Sequence, residues 1–169
     1  DYVRFATDAI RLQGATKSIA AHADFMEAVI RPAIKPEALA LVRQHQAAGD
    51  AVVIVTATNE FVTRPIADAL GVPDLIAVEL ERDSTPGGDG WITGEIRGTP
   101  SFRAGKVDRV EQWLAARQLG WADADITFYT DSINDLPLME RVNHPVATNP
   151  DERLRAFANQ RGWRILDLF

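Results

Sequence analysis

Apolar residues recur along this chain with two different periods, and the change from one to the other marks out its elements. Over residues 1–13, Val3, Phe5, Ala6, Ala9, Ile10 and Leu12 fall at roughly helical spacing, and Gly14 ends the run. A second helix is predicted from Ser18 to Ile30, with Ile19, Phe25, Met26, Val29 and Ile30 as its stripe and Pro32 as its stop. Pro36 suits the first turn of a third helix, which runs to Ala48 and closes at Gly49. The pattern then switches. Ala51-Val52-Val53-Ile54-Val55 is continuous and β-branched, the signature of a strand buried on both faces. Thr56-Ala57-Thr58-Asn59 reads as the turn after it and Glu60 to Leu70 as the next helix, capped by Gly71.

Leu75 to Glu81 reads as a strand, and Trp91 to Arg97 as its hairpin partner across the turn Pro86-Gly87-Gly88-Asp89-Gly90. Gly105 to Gln118 is amphipathic through Val107, Val110, Trp113 and Leu114. Short buried strands follow at Ile126–Tyr129 and Pro145–Ala147, with a helix at Leu136 to Val142 between them. A helix from Pro150 to Arg161 and a last strand at Trp163–Leu166 complete the order. Strands alternating with helices define an α/β fold, a mostly parallel sheet covered on both faces in three Rossmann-like layers. The opening helices have no strands among them. They predict a small, partial helical cap over residues 1–34, with the α/β core at 35–169.

Composition narrows the function classes. The net charge of -6, with Lys and Arg scattered, argues against a nucleic-acid partner, because a phosphate backbone needs a clustered basic surface. One local positive site still suits a small anionic substrate. The absence of cysteine excludes a disulfide framework, a thiolate nucleophile and Cys-ligated zinc, and is consistent with a cytoplasmic location. No apolar run approaches the ~20 residues of a membrane span, so no membrane partner is expected. The start Asp1-Tyr2-Val3-Arg4-Phe5 falls inside a helical pattern without an initiator Met, which predicts that the chain is a fragment.

In a doubly wound sheet, ligands bind beyond the carboxyl ends of the strands. Thr56, Thr58 and Asn59 follow the first buried strand; Thr130, Asp131, Ser132, Asn134 and Asp135 follow a later one; Gly105-Lys106 opens a helix between them. These groups are expected to converge on one sheet edge. Their types suit phosphate chemistry. Asp131 and Asp135 are hard oxygen donors of the kind magnesium takes. Thr56 offers a hydroxyl, and Lys106 a compact positive charge for a phosphoryl group. Taken singly, Thr56 is an ordinary turn or cap threonine. Asp131-Ser132-x-Asn134-Asp135 holds four favoured capping residues where one cap needs one, which favours a functional cluster. His22, His45 and His144 show no ligand spacing and read as surface or cap residues.

Val53-Ile54-Val55-Thr56, Gly105-Lys106 and Tyr129-Thr130-Asp131-Ser132-Ile133-Asn134-Asp135 resemble the second, third and fourth motifs of the haloacid dehalogenase superfamily, in its phosphoserine-phosphatase-like branch. Gly98-Thr99-Pro100-Ser101-Phe102 and Ala147-Thr148-Asn149-Pro150 add to the likeness, which runs from about residue 30 to the C-terminus. The resemblance implies that Thr56, Ala57, Asn59 and Asn134 bind the substrate's phosphate. It implies that Lys106 holds phosphate and nucleophile together, that Asp131 ligates Mg2+, and that Asp135 anchors Lys106 or a metal-bound water.

The family's first motif, a strand ending in Asp-x-Asp, has no match here. Asp8 and Asp24 sit in helical patterns. That strand lies centrally in the family's sheet, between those ending at Thr56 and Asp131, so its counterpart is expected upstream of Asp1, and the chain alone is expected to be inactive. The intact protein is then expected to hydrolyse a small phosphorylated metabolite, phosphoserine or histidinol phosphate, through an aspartyl-phosphate. The alternatives are a non-catalytic phosphate- and metal-binding relative and a phosphotransferase.

Overall fold

A computed structural model describes residues 2–169, with side chains from residue 7 onward. Asp1, and the side chains of Val3, Phe5 and Ala6 in the first helical stripe, lie outside the described residues. The chain divides into two compact units, Asp1–Pro100 and Ser101–Phe169.

The first unit opens with α1 (Tyr2–Gln13) and α2 (Ala15–Phe25), separated by Gly14 at φ 78°. The helix does not stop at Pro32. It widens into a π turn over Met26–Ile30 and continues as α3 (Arg31–Ala33) before Ile34 turns extended. Proline has no N–H and its ring crowds the carbonyl four residues back. The π turn bonds Arg31 N–H to Met26 O instead, and the looser spacing carries Pro32 within the helix. The predicted stripe of this segment is mostly uncovered: Met26 is buried, while Ile19, Phe25 and Val29 are exposed.

Helix α4 (Pro36–Ala48) ends at the left-handed Gly49, and β1 (Val53–Asn59) follows. The strand runs through Thr56–Asn59, where a turn was expected. Val53–Val55 pair in parallel with Asp74–Ile76 of β2 (Asp74–Arg82), the register breaks, and Asn59 resumes opposite Val78. The irregular stretch is thus a bulge, which re-aims Thr56–Thr58 without ending the pairing. Helix α5 (Glu60–Ala69) then returns, and β3 (Ile92–Arg97) closes the predicted antiparallel hairpin with β2. Helix α1 lies close on β3: Thr7 Oγ1 donates to Gly94 O at 2.7 Å. Gly94 has φ 97°, and a Cβ there would stand 2.9 Å from Arg11 Cδ, so the approach requires glycine. Leu80, Trp91 and Ile92 form one core cluster, with Ile10, Ala15, Phe61 and Ile96 packed against them.

The second unit has α6 (Ala104–Ala115), β4 (Thr127–Thr130), a 3-10 turn (Ile133–Asp135), α7 (Leu136–Met139), β5 (His144–Thr148), α8 (Glu152–Arg161) and β6 (Arg164–Leu166). Its three strands pair in parallel in the order β4-β5-β6, as short crossovers through helices demand. Met139, Ala147, Leu154 and Ala158 are its buried centre, backed by Phe128, Ile133, Trp163 and Ile165. Each fully buried Leu or Met contributes about 1.5–3 kcal/mol.

Among the described residues β1 and β4 each end their sheet, paired on one side only. Val53–Val55, predicted to be buried on both faces, are correspondingly half-buried. No described helix is long and apolar enough to cross a membrane.

Candidate active site

Lys106 in the first turn of α6 meets Asp135, just beyond the carboxyl end of β4, so the helix N-terminus and that strand end share one end of the second unit. There the structure joins two predicted residues. Lys106 Nζ lies 2.6 Å from Asp135 Oδ1 and donates to Oδ2 at 2.7 Å. Their side chains are only 8% and 10% exposed. An ammonium in the first turn of a helix opposes the helix dipole, and burying both charges costs several kcal/mol per ion before any attraction is regained. The pair is therefore a poor device for stability alone. It does hold a positive charge rigidly at a strand end.

Thr130 completes the arrangement, and the sequence reading left it without a role. It is the last residue of β4 and is buried. Its hydroxyl donates to Asp135 Oδ2 at 2.8 Å and accepts from Ser132 N–H at 3.1 Å. Asp135 thus has partners at both oxygens, and Thr130 links the strand end to the turn that carries it. The sequence placed it in the polar cluster after the strand, immediately before Asp131, without showing what its hydroxyl touches.

The Asp131–Asp135 cluster splits by task. Ser132 is the cap, its Oγ accepting from Asn134 N–H at 3.3 Å. Asp135 is committed to Lys106 and Thr130. Asp131 and the Asn134 side chain are exposed at the same strand end. Arg103, just ahead of α6, has φ 50°, a strained conformation for a residue with a side chain. Its carbonyl accepts the Lys106 N–H at 3.0 Å, so this backbone segment sets where the lysine starts.

In the first unit, Thr56 Oγ1 accepts from Thr58 N–H at 3.1 Å, which folds the bulge on itself. Ala57 and Thr58 are exposed. Asn59 is buried and serves as the N-cap of α5, its Oδ1 accepting from Val62 N–H at 3.0 Å. Arg31, which opens α3 at the end of the helical segment, is exposed and paired with Glu27 at 2.6 Å.

Among the described residues, no three His, Cys, Asp or Glu side chains gather into a metal cage. The donor chemistry nevertheless fits a share in a magnesium site. Mg2+ keeps several waters and takes one or two carboxylates, and Asp131 offers an exposed carboxylate at a strand end.

The fold and this end of the second unit define an α/β domain with a buried lysine–aspartate pair beneath an exposed strand-end carboxylate. The haloacid dehalogenase-like hydrolase family model matches residues 4–140, and the chain belongs to that family. A histidinol-phosphatase of Neisseria meningitidis is 42% identical over 147 residues, spanning 86% of this chain and 64% of that protein. A phosphoserine phosphatase of Mycobacterium tuberculosis is 37% identical over 127 residues, spanning 75% of this chain and 39% of that one. The chain therefore spans less than two thirds of either relative. A crystal structure of a Bordetella pertussis protein of unknown function superposes with a TM-score of 0.92 at 48% identity, covering 99% of this chain and 73% of the other.

Proposed function

We propose that the intact protein is a magnesium-dependent phosphomonoester hydrolase for a small phosphorylated metabolite of the histidinol phosphate or phosphoserine type. The observation that carries this reading is the buried Lys106–Asp135 pair, fixed by Thr130 beside the exposed Asp131. Family membership and the two named phosphatases support it. The chemistry needs a carboxylate that attacks phosphorus, with the ester P–O bond breaking as the new one forms. A second carboxylate protonates the departing alcohol, and water then cleaves the aspartyl-phosphate. Both carboxylates belong, in this reading, to a strand that the described residues do not include, while β1 and β4 each end a sheet with one edge open.

The residues present then have defined tasks. Lys106, held by Asp135, neutralises negative charge on the phosphoryl oxygens, a term that favours the transition state over the bound ester. Asn134 supplies a hydrogen bond to the same oxygens. In the first unit Thr56 and the Ala57 backbone offer hydrogen bonds of the kind a phosphate takes, and Asn59 holds the bulge by capping α5. Asp131 would hold Mg2+, which when bound supplies charge stabilisation and orients the phosphate. The helices over residues 1–34 act as a cap that limits access to small substrates.

The test is phosphate release from a generic aryl phosphate by the full-length protein, with magnesium and with chelator, beside an Asp131→Ala variant. Magnesium-dependent turnover that the variant abolishes is expected. A folded protein that binds magnesium yet turns over neither the aryl phosphate nor the two named metabolites would instead be a non-catalytic binder. Transfer of phosphate to an added alcohol in preference to water would make it a phosphotransferase.

A further inference from the structure

His22 is not the surface or cap histidine that its isolation in sequence suggests. It is half-buried on α2, with its ring edge-on to Phe61 at 5.3 Å and to Phe25 at 6.2 Å. Phe61 in turn stands edge-on to Trp91 at 5.6 Å, inside the core of the first unit. His22 Nε2 lies 2.9 Å from the Val62 carbonyl. A carbonyl only accepts, so this nitrogen carries the proton and donates.

The bond reaches a particular place. Val62 N–H donates to Asn59 Oδ1, and Thr63 Oγ1 donates to Asn59 O at 2.9 Å. Asn59 is the last residue of the Thr56–Asn59 bulge. One residue, Val62, thus separates the α2 histidine from the residue that closes the bulge. The first turn of α5 also needs outside support, because Pro65 lies within the helix and lacks the N–H that would have bonded the Phe61 carbonyl.

We propose that His22 is a positioning residue: a latch from α2 to the first turn of α5 that fixes the Thr56–Asn59 bulge in its phosphate-receiving shape. The proposal rests on the reading of that bulge as a phosphate-binding element. It ties the helical segment before residue 34 to the site through one hydrogen bond and one aromatic contact, both within the first unit. Losing the bond loosens Val62 and lets Asn59 and the bulge sample other shapes. That weakens ground-state and transition-state phosphate contacts alike, so KM and the inhibition constant for inorganic phosphate rise while kcat holds.

The experiment compares full-length wild type, H22F and H22Q by inhibition with inorganic phosphate and by amide hydrogen exchange over residues 59–63. H22F keeps an aromatic ring but has no donor, whereas H22Q restores a donor without the ring. The expected result is a phosphate inhibition constant about 2- to 12-fold higher in H22F, the range set by one neutral hydrogen bond. Val62 and Thr63 amides exchange faster in H22F, and H22Q recovers most of both effects. An unchanged inhibition constant in H22F overturns the latch, as does an H22Q variant no better than H22F. If H22F does not fold, H22Q decides the matter: near-wild-type inhibition and exchange support the latch, and a loss of both overturns it. A wild type that phosphate does not inhibit overturns the phosphate reading of the bulge, and the latch with it. Exchange in the variants still separates that failure from a missing His22–Val62 bond.

Discussion

Asp135→Asn removes one negative charge and almost no volume, so its cost isolates the ion pair. In the wild type both carboxylate oxygens lie within 2.7 Å of Lys106 Nζ, and Thr130 donates to one of them. With asparagine the ammonium, on a side chain 8% exposed, keeps only neutral partners among the described residues. Leaving one member of a buried pair without its counter-charge costs about 3–5 kcal/mol, a large part of the ~5–15 kcal/mol that holds a typical domain folded. The double variant K106M/D135L replaces both charges with apolar groups and is expected to come within about 1–2 kcal/mol of wild type, on either side, because no charge is then buried. Urea unfolding followed by circular dichroism of the full chain gives all four corners of the cycle from midpoints and slopes. The expected pattern is two costly single variants, a stable double and no activity in any of the three. A D135N cost below about 1 kcal/mol, or a double variant as unstable as the two singles summed, would refute the claim that the pair is buried and coupled.

Thr130→Val removes a buried hydroxyl that donates to a charged oxygen. It should cost about 1.5–3 kcal/mol, read by urea unfolding, while T130S keeps most of the stability. Hydrogen bonding from the Arg155 side chain holds the Asp167 carboxyl below the usual carboxylate range, with the Arg155 charge adding to the effect. Its contribution to stability is therefore present above the unfolded carboxylate value of about 3.9 and is lost as pH falls through the lower folded value. Proton titration of the Asp167 carboxyl by NMR should show the lowered midpoint, and R155A should move it back up.

What the sequence could and could not disclose follows from the kind of interaction involved. The order of helices and strands was legible because it depends on local periodicity. The left-handed glycines at 49, 71 and 162 fall at or just beyond helix ends, in keeping with the breaks read there. The Lys106–Asp135 pair was legible as chemistry, since its residue types stood after the right strand and at the right helix start. Thr130 was not: a threonine at the end of a strand has many uses, and only the fold turns its hydroxyl toward Asp135. The bulge at Thr56–Asn59 was misplaced because its residues are turn formers, while the pairing of Asn59 with Val78 is a non-local fact. The helix across Pro32 hid in the same way, since a π turn leaves no local signature. For Ile19, Phe25 and Val29 the helical spacing was right, but spacing says nothing about what covers a face. His22 was underrated because its partner, Val62, is forty residues away.

The central claim is that the charge held at Lys106 serves phosphate ester hydrolysis. The measurement that tests it most directly is kcat/KM of the full-length protein on histidinol phosphate and phosphoserine, for wild type and K106M, with folding checked by circular dichroism. The account predicts turnover of at least one ester by wild type and a loss of about 100- to 1000-fold or more in folded K106M, the scale for removing one preorganised charge-stabilising group. Folded K106M with near-wild-type kcat/KM would contradict it.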